Sequence, residues 1–346
     1  MKYLSAPDTV SWEITERCNL KCEHCSNAID GYAYQAPLCD CKKIIDTLSS
    51  NKVFRLNIEG GEPFVRPDLI EIIKYANQNY LWPKIDTNGT LIDKNIAHEL
   101  AECHLRGVQI SLDGPTAESY AKVRKSRQAF IDAIHGIEEL KRVGVHVGIS
   151  MVLMKSNIKY IDDYFALADN LMVDSVRFVD FIPTGRGSFD ECISAEQIRD
   201  AYSKIKEYSN AERRYAVIYP SKITGLLNSR HSSSSLMKLN SNYCMACEAG
   251  TVLMHIRANG DVTPCVYFRD KQFVAGNIIS DSFSDIWNNS LIMKKFRELG
   301  SLSDKCLNCQ NILNCMGGCR AYAYYKSKKH DIKAFDERCW KTNDDV

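Results

Sequence analysis

Residues 12–25 of this chain read WEITERCNLKCEHC and join the end of a strand to three closely spaced cysteines. The strand is predicted over Val10–Thr15, because apolar side chains at alternate positions would share one face. Three thiolates can hold three irons of a four-iron cluster and leave the fourth iron open to a small ligand. A structural zinc site is the alternative, with His24 as the nearest fourth ligand. The three cysteines are Cys18, Cys22 and Cys25.

The first two thirds of the chain alternates strand-like and helix-like segments. Six successive β/α units with right-handed crossovers predict an α/β fold, a parallel sheet curled into a partial (β/α)6 TIM-like barrel. In such barrels the loops at the carboxyl ends of the strands assemble the chemistry, and the cysteine trio lies in the first of them. The later strands are expected at Val53–Glu59, Lys84–Thr87, Val108–Leu112, Val145–Leu153 and Ser175–Phe181. Amphipathic stretches between them include Leu69–Asn77, Ala129–Val143 and Ile161–Leu171.

The last third differs in composition and predicts a second, smaller unit. We expect the barrel over residues 1–200, a connecting segment over 201–242 and a cysteine-rich α+β domain over 243–346. The connecting segment contains the serine run Ser232–Ser235, and Asn259–Gly260 between two apolar runs predicts a hairpin. The hairpin strands are expected at Val252–Ile256 and Asp261–Tyr267, and helices at Ser282–Asn289 and Leu291–Leu299.

Composition excludes several classes of protein and leaves the cysteines as the unusual feature. The net charge of +1 gives no electrostatic case for a nucleic-acid partner. No apolar run is long enough to span a bilayer, and residues 1–7 lack the pattern of a secretion signal, so we expect a cytoplasmic protein without a membrane partner. In a reducing compartment, the 15 cysteines are more often metal ligands or redox groups than disulfides.

Residues 12–25 closely resemble the signature of the radical S-adenosylmethionine (SAM) enzymes. The resemblance implies that the amino and carboxylate groups of SAM chelate the open iron of a [4Fe-4S] cluster. An electron, supplied by a reductant such as flavodoxin or ferredoxin, would cleave SAM to methionine and a 5′-deoxyadenosyl radical. That radical abstracts hydrogen from the substrate under anaerobic conditions, and the protein positions the reactants.

Glycine and polar motifs follow the next strands where that family places its SAM pocket. A glycine pair permits close backbone approach to a ligand, and the glutamate after it can accept hydrogen bonds from an ammonium. For Asp113 a helix cap or turn is the alternative role, and for Arg177 a surface ion pair. By resemblance the pocket comprises Gly60, Gly61, Glu62, Pro63, Thr87, Asn88, the ribose contacts Ser111 and Asp113, and Arg177 as partner of the SAM carboxylate.

A second cysteine group has the spacing C-x2-C-x5-C-x3-C over residues 306–319, with further cysteines on both sides. It resembles the SPASM domain that follows the barrel in many peptide-modifying members of the family. That domain holds two auxiliary clusters, so the resemblance implies three [4Fe-4S] clusters in all. Paired zinc sites are the alternative, because eight thiolates could also form two tetrahedral sites. By resemblance the outer cluster takes Cys306, Cys309, Cys315 and Cys339, and the inner one takes Cys247, Cys265 and Cys319, with Cys244 as fourth ligand or a free thiol.

The complete two-cluster domain leads us to expect modification of a ribosomally made peptide by cross-linking, oxidation or epimerisation, with no catalytic residue assigned. Few residues precede the first strand, so a separate leader-recognition protein or a leaderless substrate is expected. Modification of a haem-type tetrapyrrole is the alternative, since Thr184–Gly187 and Gly317–Arg320 are similar to motifs of members that modify peptides or tetrapyrroles. Ser26, however, replaces the tyrosine that is usual in the tetrapyrrole members. Sulfatase maturation is disfavoured, because Val266 stands where those relatives carry an aspartate base. A non-catalytic electron-transfer protein is the alternative of another class.

Overall fold

Strands and helices alternate along the first two thirds of the chain, as the sequence predicts. The computed structural model describes residues 4–28, 33–218, 247–298, 300, 302–309, 312–315 and 317–339. The first six strands are β1 Thr9–Glu13, β2 Arg55–Glu59, β3 Trp82–Thr87, β4 Gly107–Ser111, β5 Val147–Leu153 and β6 Ser175–Asp180. The helices among and after them are α1 Leu38–Ser50, α2 Leu69–Gln78, α3 Lys94–Ala101, α4 Ala117–Arg124, α5 Arg127–Arg142, α6 Ile161–Asn170 and α7 Ala195–Asn210. None of the helices in these ranges is long and apolar enough to cross a membrane.

The six strands pair in parallel in chain order, which confirms the predicted partial barrel. A seventh strand, β7 (Ala216–Ile218), pairs in parallel with β6. Helix α7 crosses residue 201, where the connecting segment is predicted to begin, and β7 lies within that segment. The helix begins at a capping box in which the Ser194 and Gln197 side chains bind each other's backbone N–H groups. The serine run at Ser232–Ser235 lies outside the described residues.

The two faces of the sheet have different chemistry. Side chains such as Val10 and Trp12 on β1 are fully buried against the helices on the outer face. Their neighbours on the inner face are polar, for example Ser11, Asn57 and Gln109, which line a cavity. Because side chains alternate between the faces of a strand, the apolar positions build the outer core and leave the polar ones to form the inside of the barrel.

The cysteine-rich region extends the barrel sheet. Its strands β8 (Leu253–Ile256) and β9 (Asp261–Thr263) form the predicted hairpin, and β8 pairs in parallel with β1. Strand β9 ends earlier than predicted, because Pro264 has no N–H to donate to a partner strand. With the short β10 (Gly276–Asn277), the sheet order is β10-β9-β8-β1-β2-β3-β4-β5-β6-β7. The later helical segments are a π-helix at Asp285–Asn289, α8 Leu291–Arg297, α9 Asp304–Leu307, α10 Ile312–Cys315 and α11 Arg320–Lys326.

Candidate active site

The loop that carries Cys18, Cys22 and Cys25 leaves the carboxyl end of β1. Burial raises the pKa of the Cys22 thiol, and negative charge on Cys25 contributes to the rise. Cys18 is exposed as a whole residue, yet local desolvation of its sulfur raises the pKa of this thiol to about 11, with further contributions from Cys22 and Cys25. The charges of Cys18, Cys22 and Cys25 act on one another, so the three sulfurs are close neighbours. This donor set fits an iron–sulfur cluster with one open iron.

His24, the fourth ligand that a zinc site would need, is engaged with an acidic side chain. Its Nε2 lies 3.4 Å from Asp113 Oδ2. Burial lowers the pKa of the imidazole to about 4, so the ring is neutral at pH 7. Among the residues that the structure describes, no three cysteine, histidine or acidic side chains converge closely enough to hold a single metal ion.

The glycine pair after β2 allows that loop to lie against the cysteine loop. Gly60 has a φ of +147°, and a Cβ there would come 2.4 Å from the Thr15 carbonyl oxygen. A Cβ on Gly61 would come 2.0 Å from the Arg17 carbonyl oxygen. The Gly61 N–H donates to Thr15 O at 2.7 Å, and the Glu62 N–H donates to Arg17 O at 2.8 Å. Only glycine fits this approach, so the pair holds the cysteine loop in place.

Glu62 joins the loops that follow β2 and β3. Its buried carboxylate accepts hydrogen bonds from Thr87 Oγ1 at 2.6 Å and from the Asn88 N–H at 2.7 Å. It also accepts from the Phe64 N–H at 3.1 Å, in the turn that begins at Pro63. Burial raises the pKa of this carboxyl, while the hydrogen bonds act in the opposite direction. The structure thus brings the polar residues of these two predicted pocket motifs together.

Asp113 is fully buried behind the cysteine loop, and both of its oxygens have partners within the protein. Oδ1 accepts a hydrogen bond from the Val152 N–H at 2.8 Å, and Oδ2 accepts one from Arg124 Nε at 2.6 Å. Arg124 Nη1 in turn lies 3.8 Å from Cys22 Sγ. Burial disfavours the charged guanidinium, but Asp113 and Cys22 raise its pKa above the usual range. Sequence reasoning missed Arg124, which looks like any cationic residue in the last turn of a helix. Ser111, the other predicted ribose contact, lines the cavity.

Arg186 supports the backbone of the cysteine loop. Its Nε donates to Cys22 O at 2.9 Å, and its own N–H donates to Cys25 O at 3.1 Å. Beside it, Gly185 has a φ of +62°, and a Cβ there would come 2.3 Å from Cys25 O. The motif Thr184–Gly187, similar in sequence to motifs of members that modify peptides or tetrapyrroles, therefore packs on the cysteine loop. No local signal predicts this contact, since Arg186 is 164 residues from Cys22.

Four cysteines of the last third influence one another electrostatically. Burial raises the pKa of the Cys315 thiol to about 12, and charge on Cys339 or Cys306 contributes to the rise. Burial also raises the pKa of Cys306, with contributions from Cys339 and Cys309. Such effects require proximity, so the four thiols form one group. This group fits the predicted outer cluster with four protein ligands.

Three further cysteines, Cys247, Cys265 and Cys319, line a single cavity. Thiols that face one space fit the predicted inner cluster. Cys244, its predicted fourth ligand, lies outside the described residues.

That cavity has a volume of about 600 Å³ and occupies the polar inner face of the sheet. Its lining extends along β4 from Arg106 at the amino end to Ser111 at the carboxyl end, and it includes Cys265. Arg177, predicted to pair with the SAM carboxylate, also lies in its wall. The cavity therefore connects the predicted SAM side of the barrel with the cysteines of the last third.

Known proteins resemble the chain over nearly its whole length. The radical SAM superfamily profile matches residues 12–168, and the SPASM iron–sulfur cluster-binding profile matches residues 247–310. Over 326 residues the chain is 34% identical to the mycofactocin maturase MftC of Mycobacterium ulcerans, which covers 93% of this chain and 85% of that protein. Over 332 residues it is 30% identical to an AdoMet-dependent heme synthase of Oleidesulfovibrio alaskensis, with coverage of 93% and 84%.

Among solved structures, Streptococcus suis SuiB has the same fold. Bound to S-adenosylmethionine, it aligns with a TM-score of 0.82 at 21% identity, over 98% of this chain and 78% of that chain. Bound to its precursor peptide SuiA, it aligns with a TM-score of 0.81 at 21% identity, over 98% and 77%. Together with the cysteine loop and the curated relatives, this fold confirms the resemblance seen in the sequence. The chain belongs to the radical SAM superfamily, as an enzyme that binds SAM and iron–sulfur clusters and carries a SPASM domain.

Proposed function

We propose that this enzyme modifies a ribosomally made peptide at an unactivated carbon, by cross-linking, oxidation or epimerisation. The observation that carries the proposal is the cavity inside the barrel, which has the predicted SAM side along one edge and the SPASM cysteines along another. When bound, SAM and its cluster supply a radical that abstracts hydrogen from a substrate carbon. The relatives support a peptide substrate, because MftC is a maturase and SuiB has been solved with its precursor peptide.

For the SAM pocket, we propose that Glu62 accepts hydrogen bonds from the SAM ammonium group. Thr87 and Asn88 hold its carboxylate in one orientation, which suits an acceptor that must be in place before the ligand arrives. Ser111 is proposed to contact the ribose and Arg177 to pair with the SAM carboxylate, and both line the cavity.

We also propose three [4Fe-4S] clusters, one on the N-terminal loop and two in the SPASM domain. Iron and sulfide per chain after anaerobic reconstitution test this count. The wild type should hold about twelve irons, and the Cys18/Cys22/Cys25→Ala variant about eight. A Cys39/Cys103→Ala variant, which removes thiols far from the three groups in sequence, should keep about twelve. Equal iron in the wild type and the triple variant would show that the N-terminal loop holds no cluster.

The peptide proposal is tested with small peptides encoded beside the gene. Each is incubated anaerobically with the enzyme, SAM and a reductant such as flavodoxin or ferredoxin, with and without any neighbouring leader-recognition protein. One peptide should change in mass while 5′-deoxyadenosine forms, and the triple cysteine variant should produce neither. If 5′-deoxyadenosine forms but no peptide changes, the radical chemistry holds and the peptide substrate is wrong.

A haem-type tetrapyrrole is the second candidate substrate, because a heme synthase is 30% identical over 93% of the chain. Titration with a porphyrin, followed by absorbance and by analysis of the product, separates the two candidates. A purely electron-transferring role disagrees with membership of this enzyme family.

A further inference from the structure

The amino-terminal end of the barrel cavity contains a group of hydrogen-bond donors that the proposed chemistry does not use. Arg106 directly precedes β4, and Gly107 at the start of β4 is paired with Lys84 on β3. Both cationic residues and Gln109 line the cavity. The cysteine loop lies beyond the other end of the same strands, so this group is remote from the cluster that binds SAM.

The side chain of Arg106 extends along the amino-terminal end of the cavity towards strand β2. Its Nη2 donates to Asn57 Oδ1 at 3.2 Å. Asn57 lies on β2 and is paired with Lys84 on β3, so the guanidinium reaches from the edge of β4 past β3 to β2. Its Nη1 is buried and has no hydrogen-bond partner in the part of the chain that the structure describes. A buried donor without a partner is costly unless a ligand or water satisfies it.

Gln109 provides a second such donor two positions along β4. Its side chain is 5% exposed, and its Nε2 has no hydrogen-bond partner within the described ranges. Gly148, its partner on β5, makes room for this amide, because a Cβ at Gly148 would come 2.9 Å from Gln109 Oε1 and 3.0 Å from Nε2. The position of the amide inside the cavity is therefore built into the neighbouring strand.

Arg106 lies within electrostatic range of two cations, Arg55 and Arg177, and of two carboxylates, Asp86 and Asp8. Lys84 has a carboxylate partner, Asp86, at 2.9 Å. Within the described residues, neither Arg106 nor Arg177 has a carboxylate at ion-pairing distance. Burial lowers the pKa of Lys84, and the charges of Arg177 and Arg106 contribute to the decrease, so the three cations lie within range of one another. Like charges gathered at low exposure are stabilised by an anion between them.

We propose that Arg106 and Gln109, with Lys84 beside them, bind a carboxylate of the substrate at the amino-terminal end of the cavity. A guanidinium and an amide donate hydrogen bonds to carboxylate oxygens, and a planar guanidinium matches the geometry of that group. The inference rests on the proposed function, because the ligand is taken to be the substrate. Both candidate substrates carry the group, as a chain terminus or acidic side chain of a peptide, or as a propionate of a tetrapyrrole.

The length of the strands fixes how far this carboxylate lies from the SAM side. From Gly107 to Ser111, strand β4 spans about 13 Å. An extended peptide covers this distance in about four residues. In a peptide substrate, the recognised carboxylate therefore belongs within about four residues of the modified one.

The test compares acidic and neutral forms of two probes on the anaerobic holoenzyme. The first probe is the peptide encoded beside the gene, as free acid and with its terminal and side-chain carboxylates converted to amides. The second is a haem-type porphyrin with free propionates and its methyl ester. The acid form of the bound substrate should bind about 10- to 100-fold more tightly than the neutral form in the wild type. Arg106→Gln should abolish most of this difference.

Arg127→Gln is the matched control, because Arg127 is an exposed cation that pairs with Glu118, does not line the cavity and does not act on Arg106. It should keep the preference for the acid, and SAM affinity should be unchanged in both variants. Equal binding of acid and neutral forms in both probe series overturns the proposal. So does a preference that survives Arg106→Gln, or a loss of SAM affinity in that variant. If only the porphyrin binds more tightly as the free acid, and no peptide changes in mass, the carboxylate site is supported. The proposal of a peptide substrate is then wrong.

Discussion

Asp113 illustrates how one buried residue organises the surroundings of the first cluster. The sequence places it directly after a strand, where a ribose contact or a turn residue is expected. The structure engages its Oδ2 with Arg124, which reaches towards Cys22. A buried guanidinium is tolerated only with such a partner, so Asp113 stabilises the fold around the cysteine loop.

Asp113→Asn should therefore lower the free energy of unfolding by about 3–5 kcal/mol, because it leaves Arg124 buried without a counter-charge. Glu118→Gln is the matched control, since Glu118 pairs with Arg127 at the surface and should cost no more than about 1 kcal/mol. Anaerobic denaturant unfolding measures the stability, and equilibrium binding measures SAM affinity. Equal stability of the two variants, with SAM affinity lost only in Asp113→Asn, would instead support the ribose contact.

At the scale of elements, the loop at Thr184–Gly187 has the clearest structural role. It follows β6 and holds the cysteine loop through backbone contacts to Cys22 and Cys25. Two features permit this approach, the left-handed conformation of Gly185 and its missing side chain.

Gly185→Ala should displace the cysteine loop and lower iron per chain, because a Cβ would come 2.3 Å from the Cys25 carbonyl oxygen. Gly144→Ala is the matched control. Gly144 has a similar φ of +78°, but a Cβ there meets nothing within 4 Å. It should cost only the strain of the left-handed conformation, about 1–2 kcal/mol, and keep its iron. Iron and sulfide analysis and thermal unfolding of both variants check this, and equal iron content would contradict the supporting role.

The strands and the cysteine motifs could be predicted because each depends on local pattern. Apolar residues alternate in β1, and the outward ones are buried as expected. Helices α2, α5 and α6 have predicted ranges, whereas α1, α3, α4 and α7 are expected only from the alternation of β/α units. Contacts such as Arg186 with Cys22 join residues far apart in sequence, and only the folded chain shows them. The pairing of β8 with β1 is of the same kind.

On the scale of the whole molecule, strands of the barrel and of the SPASM region form one continuous sheet. Charged side chains beside this sheet link the two regions. Glu13, at the end of β1, accepts hydrogen bonds from Arg269 at 2.9 Å and from Asn27 at 2.8 Å. His255 of β8 lies 3.7 Å from the same carboxylate. At the opposite edge, Arg338 lies 3.5 Å from Asp180 at the end of β6. The SPASM region is therefore tied to both sides of the barrel opening.

Glu13→Gln should test how much the contacts of Glu13 with Arg269 and His255 stabilise the molecule. Burial alone would raise the pKa of Glu13, but His255 and Arg269 hold it at about 2, below the ordinary value of 4.5. Because the folded-state pKa is the lower one, the stabilisation is complete above pH 4.5 and is lost as pH falls towards 2. The variant should lose about 3 kcal/mol at pH 7, and the gap to wild type should narrow by about 1 kcal/mol at pH 4. Anaerobic denaturant unfolding at pH 7 and at pH 4 measures the free energy of unfolding of both proteins. Glu102→Gln, which breaks an exposed pair with Lys74, should show neither effect. If the difference in free energy of unfolding between wild type and Glu13→Gln stays constant or widens on acidification, the ionised Glu13 carboxylate is not what stabilises these contacts.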